Sequence, residues 1–166
     1  LNSSKLLLKA LETTFPYFQG SVVLADDANK IDKLVHDAKP SHVVIHAIWC
    51  TPEKLEVLVK KWKKIQWYIR IHSKTPFLAN EGIALDWIGR YKSLTQKYTN
   101  VHISANSLAL TDDLSSTLDM KIDYLPNIYP ITTIPTYTPH TIEKEINIGC
   151  FGAIRPLKNH LIQAIG

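Results

Sequence analysis

Runs of β-branched and aromatic residues alternate with amphipathic helical patterns along most of this chain, and few folds accommodate that alternation. His42 to Trp49 (HVVIHAIW) is nearly continuous apolar, the pattern of a parallel strand covered on both faces. Thr51-Pro52-Glu53 then supplies an N-cap, a first-turn proline and an acid near the positive helix end. The helix it opens runs to Lys64, with Leu55, Leu58, Val59 and Trp62 inward. Gln66 to His72 (QWYIRIH) reads as the next strand. A loop from Ser73 to Gly82 leads to a helix whose inner face is Ala84, Trp87, Ile88, Tyr91, Leu94 and Tyr98. Val101 to Ala105 is another strand, a short helix covers Leu108 to Leu118, and Lys121 to Leu125 (KIDYL) closes the series. Strand, helix, strand at these spacings means βαβ crossovers, hence an α/β fold with a doubly wound, Rossmann-like parallel sheet.

Upstream, Ser3 to Thr14 is an amphipathic helix presenting Leu6, Leu7, Ala10 and Leu11, stopped at Phe15-Pro16. Ser21 to Ala25 (SVVLA) reads as a short buried strand ending at Asp26-Asp27. Lys30 to Lys39 reads as a helix burying Ile31, Leu34, Val35 and Ala38, ended by Pro40. No secretory signal and no apolar run of membrane-spanning length is visible. The net charge of +4 is modest and spread out, so it does not point to nucleic acid. Two cysteines, Cys50 and Cys150, make no disulfide framework and suit a reduced, intracellular setting. The chain begins at Leu1 without a methionine and stops just after a helix begins, so both ends read as cut.

From Pro126 to His140 the texture changes, with Pro126, Pro130, Pro135 and Pro139 among threonines and tyrosines. Such a stretch reads as an extended linker. The organisation expected is a Rossmann-like domain over 1–127, a Pro/Thr-rich linker over 128–145, and the first βα unit of a second domain over 146–166. That last unit has a strand (Ile146, Ile148, Cys150, Phe151), a turn at Gly152, cations Arg155 and Lys158, and a helix from about Pro156 bearing Leu157, Leu161, Ile162 and Ile165. These are the parts of an anion site: a glycine that lets backbone approach, a helix N-terminus, and an arginine that grips phosphate with paired bonds. On the residues alone, a basic loop facing solvent stays open as the alternative.

Ligands of open α/β sheets bind outside the carboxyl ends of the strands. That rule selects Asp26 and Asp27, His46 to Cys50, His72 and Ser73, Ser104 to Asn106, and Pro126-Asn127. His72 stands out because it ends a strand and opens a long loop containing Lys74, Asn80 and Glu81. Its plainer alternative is a surface histidine at a strand end. His42 and His46 share strand parity, yet with Cys50 they lack the spacing of a zinc cluster, so no metal is expected. Both cysteines read as buried small hydrophobes. Lys54, Lys60, Lys61, Lys63 and Lys64 make one helix basic beside Trp62 and Trp67, which suits peripheral contact with anionic lipid. Glu53 and Glu56 dilute that charge and favour a solvated outer face.

The strand-end histidine in YIRIHS, the Leu-Pro-Asn turn, the linker and the loop FGAIRPLKN occur in an order that resembles the group-1 glycosyltransferases. These are retaining enzymes of the two-Rossmann GT-B fold, and the resemblance runs from the first helix to Gly166. It implies a nucleotide-sugar donor as substrate, no cofactor, no metal, an acceptor of unknown class (glycan, lipid or small molecule) and a cytoplasmic setting. It gives His72 the reaction centre, and Gly152, Arg155 and Lys158 the donor diphosphate. Ser73, Ser104 and Asn127 become further cleft residues. As the diphosphate leaves, negative charge grows on its oxygens, and fixed cations there stabilise the transition state more than the ground state. The family's first strand would precede Leu1 and its paired glutamates would follow Gly166, so these residues alone are expected not to turn over. The rival reading is a non-catalytic Rossmann-like module that binds a phosphate ligand or a partner protein.

Overall fold

The structure, a computed structural model, describes residues 2–128. The chain divides into two units, Leu1–Pro130 and Ile131–Gly166. The linker and the stretch holding Cys150, Gly152, Arg155 and Lys158 lie outside the described residues.

In the first unit four strands, β1 (His42–His46), β2 (Gln66–Ile71), β3 (Val101–Ala105) and β4 (Asp123–Tyr124), form one parallel sheet in the order β1-β2-β3-β4. Helices lie between successive strands: α3 (Pro52–Lys61), then α4 (Thr75–Asn80) with α5 (Ala84–Lys97), then α6 (Leu108–Leu118). Before the sheet come α1 (Asn2–Thr14) and α2 (Ile31–Ala38), the latter entered through a 3-10 turn at Ala28–Lys30. The parallel α/β architecture is as the alternating pattern required. A doubly wound sheet also reverses its strand order, and the four described strands run in one direction without a reversal.

Strands laid down in sequence with right-handed crossovers place their connecting helices on one face. That face carries Ile45, Trp67, Ile69, Ile71, Val101, Ile103 and Ala105, packed into one core with Leu55, Leu58 and Val59 of α3, Ile88, Tyr91 and Leu94 of α5, and Leu110 and Leu114 of α6. Each fully buried aliphatic side chain contributes roughly 1.5–3 kcal/mol of transfer free energy. The helices start where the sequence says they should. Thr51 Oγ1 accepts from Lys54 N at 3.2 Å, and Ser107 Oγ accepts from Leu110 N at 3.3 Å. Tyr91 Oη donates to the Cys50 carbonyl and ties α5 to the loop after β1. Cys50 is fully buried, as a small hydrophobe would be, and burial pushes its thiol up to about 11.

Four expectations need correction. Residues 21–25 are not a strand: they pair with nothing in the sheet, and Val23 and Leu24 are 53% and 80% exposed. Without a neighbouring ladder a five-residue run has no partner for its backbone groups. Asp26 and Asp27 therefore end no strand; Asp27 caps the 3-10 turn through Asn29 N at 2.8 Å, and Asp26 pairs with Lys30. Second, β1 stops at His46 and is an edge strand among the described residues, with His42 and Val44 exposed, so its apolar run is not covered on both faces. Ala47 then turns the chain at φ 69°, a left-handed conformation costly for a residue with a Cβ. Third, the span 73–82 is not a plain loop but contains α4, which starts at Thr75 with Pro76 in its first turn and Lys74 at the N-cap without a side-chain capping bond; Gly82 at φ 61° makes the turn into α5. Fourth, α3 ends at Lys61 rather than Lys64.

Candidate functional site at the strand ends

Parallel pairing puts register partners side by side on one face. His42, Val44 and His46 of β1 lie beside Gln66, Tyr68 and Arg70 of β2, and Tyr68 and Arg70 lie beside His102 and Ser104 of β3. These are the positions that alternate with the core set, and most are polar. Tyr68 stacks between two histidines, with centroids 6.3 Å from His42 and 4.6 Å from His102. Gln66 Oε1 and His102 Nε2 are 2.9 Å apart. The sheet thus has one apolar face and one polar, aromatic face.

Along the polar face toward the carboxyl ends, burial increases and Arg70 becomes central. It is only 2% exposed. Its Nε donates to the Leu125 carbonyl at 2.8 Å and its Nη2 to Asn127 Oδ1 at 2.7 Å. Its Nη1 lies 3.3 Å from His46 Nδ1. One planar guanidinium therefore joins the ends of β1 and β2 to the chain leaving β4, a task that needs the fork geometry of arginine. Backbone bonds complete the ledge: Ala47 N donates to Arg70 O, Asn106 N to Ile71 O, and Leu125 N to Ala105 O.

Arg70 fixes the state of His46. A guanidinium has only donors, so the facing Nδ1 must accept and the ring proton sits on Nε2. That nitrogen lies 3.3 Å from Ser4 Oγ of α1. Burial, and then the charges of Arg70 and His72, pull the His46 imidazole down to about 4, so it is neutral at pH 7.

His72 stands one residue beyond β2, exposed, at the rim of this ledge. Desolvation of its ring, then the charge of Arg70, lowers its pKa, while Glu81 opposes them. A neutral imidazole there can accept or donate one proton at neutral pH. Ser73 is half-buried beside it, and Asn127 is half-buried at the end of the Arg70 fork. Ser104 is different. It is fully buried, its hydroxyl 3.4 Å from the Ile69 carbonyl, and so it is closed to solvent.

Of the residues chosen from sequence, His46, His72, Ser73 and Asn127 fall at this end of the sheet, and Gly152, Arg155 and Lys158 lie outside the described residues. Arg70 was missed. Its signal was a charge inside an otherwise apolar and aromatic strand, a placement tolerated only when partners are built around it. The lipid reading changes in one respect: Trp67 is fully buried, Trp62 Nε1 donates to Asp32, and Lys61 pairs with the same carboxylate. Among the described residues no three metal-ligating side chains come together, and no helix is long and apolar enough to cross a membrane. No family model, curated protein or solved structure matches the chain.

Proposed function

We propose that this chain serves a retaining glycosyltransferase, moving a sugar from a nucleotide-sugar donor to an acceptor without a metal. The observation that carries the reading is the position of His72: at the carboxyl end of an inner strand of a parallel sheet, beside the Arg70 cluster. That is where open α/β sheets place their ligands. A neutral His72 can donate a hydrogen bond to a sugar hydroxyl as the ring becomes oxocarbenium-like. In this reading the resemblance gives Gly152, Arg155 and Lys158 the donor diphosphate, and Ser73 and Asn127 remain candidates for contact with the sugar. A cytoplasmic location belongs to the same proposal.

The test is a donor panel on the intact protein: UDP-, GDP- and ADP-sugars, scored for nucleotide release and for sugar transfer to added glycans. The reading expects release that depends on one nucleotide class and persists in EDTA. Absence of binding and release across the panel would instead favour a non-catalytic module.

A further inference from the structure

We infer that Asn127 is a ligand-binding residue whose amide N–H groups take an acceptor oxygen of the bound substrate, and that Arg70 is the positioning residue that orients it. The inference deepens the proposed function and rests on it for the identity of the substrate. Its geometric core stands on three observations. First, Asn127 Oδ1 accepts from Arg70 Nη2 at 2.7 Å. Because a guanidinium cannot accept, the oxygen must face it and the amide nitrogen must face away. Second, Arg70 cannot swing, being buried and also bonded from Nε to Leu125 O at 2.8 Å. Third, Asn127 Nδ2 bonds to no other described residue, while Asn127 itself is only half-buried at the strand ends. Two N–H donors are thus held in one orientation next to the rim that carries His72.

Such a pair suits oxygens that only accept or that can accept: a phosphoryl oxygen or a sugar hydroxyl. It disfavours a ligand presenting N–H groups. Pre-orientation matters here because a side chain fixed before binding loses little freedom when the ligand arrives.

Asn127→Asp separates the ligand role from the structural one. A carboxylate accepts from Arg70 at least as well as an amide oxygen, so the fork stays occupied, but the two outward donors become an anionic oxygen. Following the full chain by NMR, the Asn127 side-chain amide signal, assigned by its loss in Asn127→Asp, should move on adding UDP-glucose, GDP-mannose, ADP-glucose or inorganic diphosphate. Asn127→Asp should keep its melting temperature within about 2 °C. Binding of whichever probe moved the signal should weaken at least about 10-fold, the scale of a lost hydrogen bond plus repulsion. In turnover the same change should raise KM more than it lowers kcat. Arg70→Lys, which replaces the two nitrogens facing Leu125 O and Asn127 Oδ1 by a single ammonium on a flexible stem, should weaken the same probe in the same direction.

A signal that moves with diphosphate but with no sugar nucleotide upholds the site and counts against the glycosyltransferase. An amide signal indifferent to every probe overturns the inference. So does a parental KM in Asn127→Asp on a nucleotide sugar that the protein does turn over, an outcome that leaves the enzyme reading standing.

Discussion

His46 and Arg70 are register partners on adjacent strands, and the imidazole Nδ1 lies 3.3 Å from the guanidinium Nη1. Burial strips solvent from the His46 ring, and protonating it would also set a second cation against Arg70, so its pKa is pulled down to about 4. In the unfolded chain an ordinary histidine titrates near 6.5. Between those values the unfolded state binds the proton and the native state does not. Native stability should therefore fall as pH drops from about 6.5 toward 4, and be unaffected by this group above 6.5. Denaturant titrations at a series of pH values should show that decline in the parent and a shallower one in His46→Gln. Equal slopes would contradict the contact.

Glu56 ties α3 to the end of α5 by accepting from Lys97 Nζ at 2.7 Å and Tyr98 Oη at 2.8 Å, with Lys60 Nζ at 3.2 Å. These partners hold its carboxyl down at about 2. The stabilisation is present above the unfolded value near 4.5 and is lost as pH falls through the window down to 2. Glu56→Gln should melt lower than the parent at pH 7, and the gap should close as the acid limb is reached. A constant gap at all pH values would show that the charge is immaterial.

Trp67 is fully buried in the core, yet its Nε1 has no hydrogen-bond partner among the described residues. Phenylalanine would remove the orphaned donor, a gain of about 1–3 kcal/mol that offsets most of the lost volume. Trp67→Phe should thus unfold within about 1 kcal/mol of the parent, whereas Trp67→Ala should cost roughly 3–5 kcal/mol. Chemical denaturation of the three proteins decides the matter; a loss for Trp67→Phe well above about 1 kcal/mol would mean that the indole N–H is satisfied.

Asp32 accepts from Lys61 Nζ at 2.6 Å and Trp62 Nε1 at 2.8 Å, which docks α2 on the end of α3. Asp32→Ala should cost about 1 kcal/mol, a partly exposed charge-assisted pair. Amide exchange should speed up in α2 before it does in the sheet. Uniform acceleration across the sheet would place Asp32 in the global core instead.

The parallel sheet was legible because burial imposes a period that the strands must obey. Ile69, Ile71 and Ile103 on one face and Leu55, Leu58, Ile88 and Tyr91 on the helices are visible as apolar positions at the right spacing. What stayed hidden depends on neighbours far along the chain. Residues 21–25 look like a strand because Val22, Val23 and Leu24 have the right propensity, but a strand exists only beside another. The helix start at Thr75 is marked only by Pro76 in the first turn, because Lys74 at the N-cap has no capping oxygen, whereas Thr51 before Pro52 does. His72 and Asn127 could be picked from strand-end logic. Arg70 showed only as a charge inside an apolar strand, and its role stayed hidden because its partners Leu125 and Asn127 lie 55 and 57 residues away.

The central claim is that His72 works at the reacting sugar. The most direct measurement is kcat/KM of His72→Ala against the parent, in the intact protein, with the nucleotide sugar selected from the panel. A loss of roughly 10²-fold or more, carried mainly in kcat, is the expected result, the scale of one transition-state contact. Near-parental rates in His72→Ala, in a protein that does transfer sugar, would contradict it.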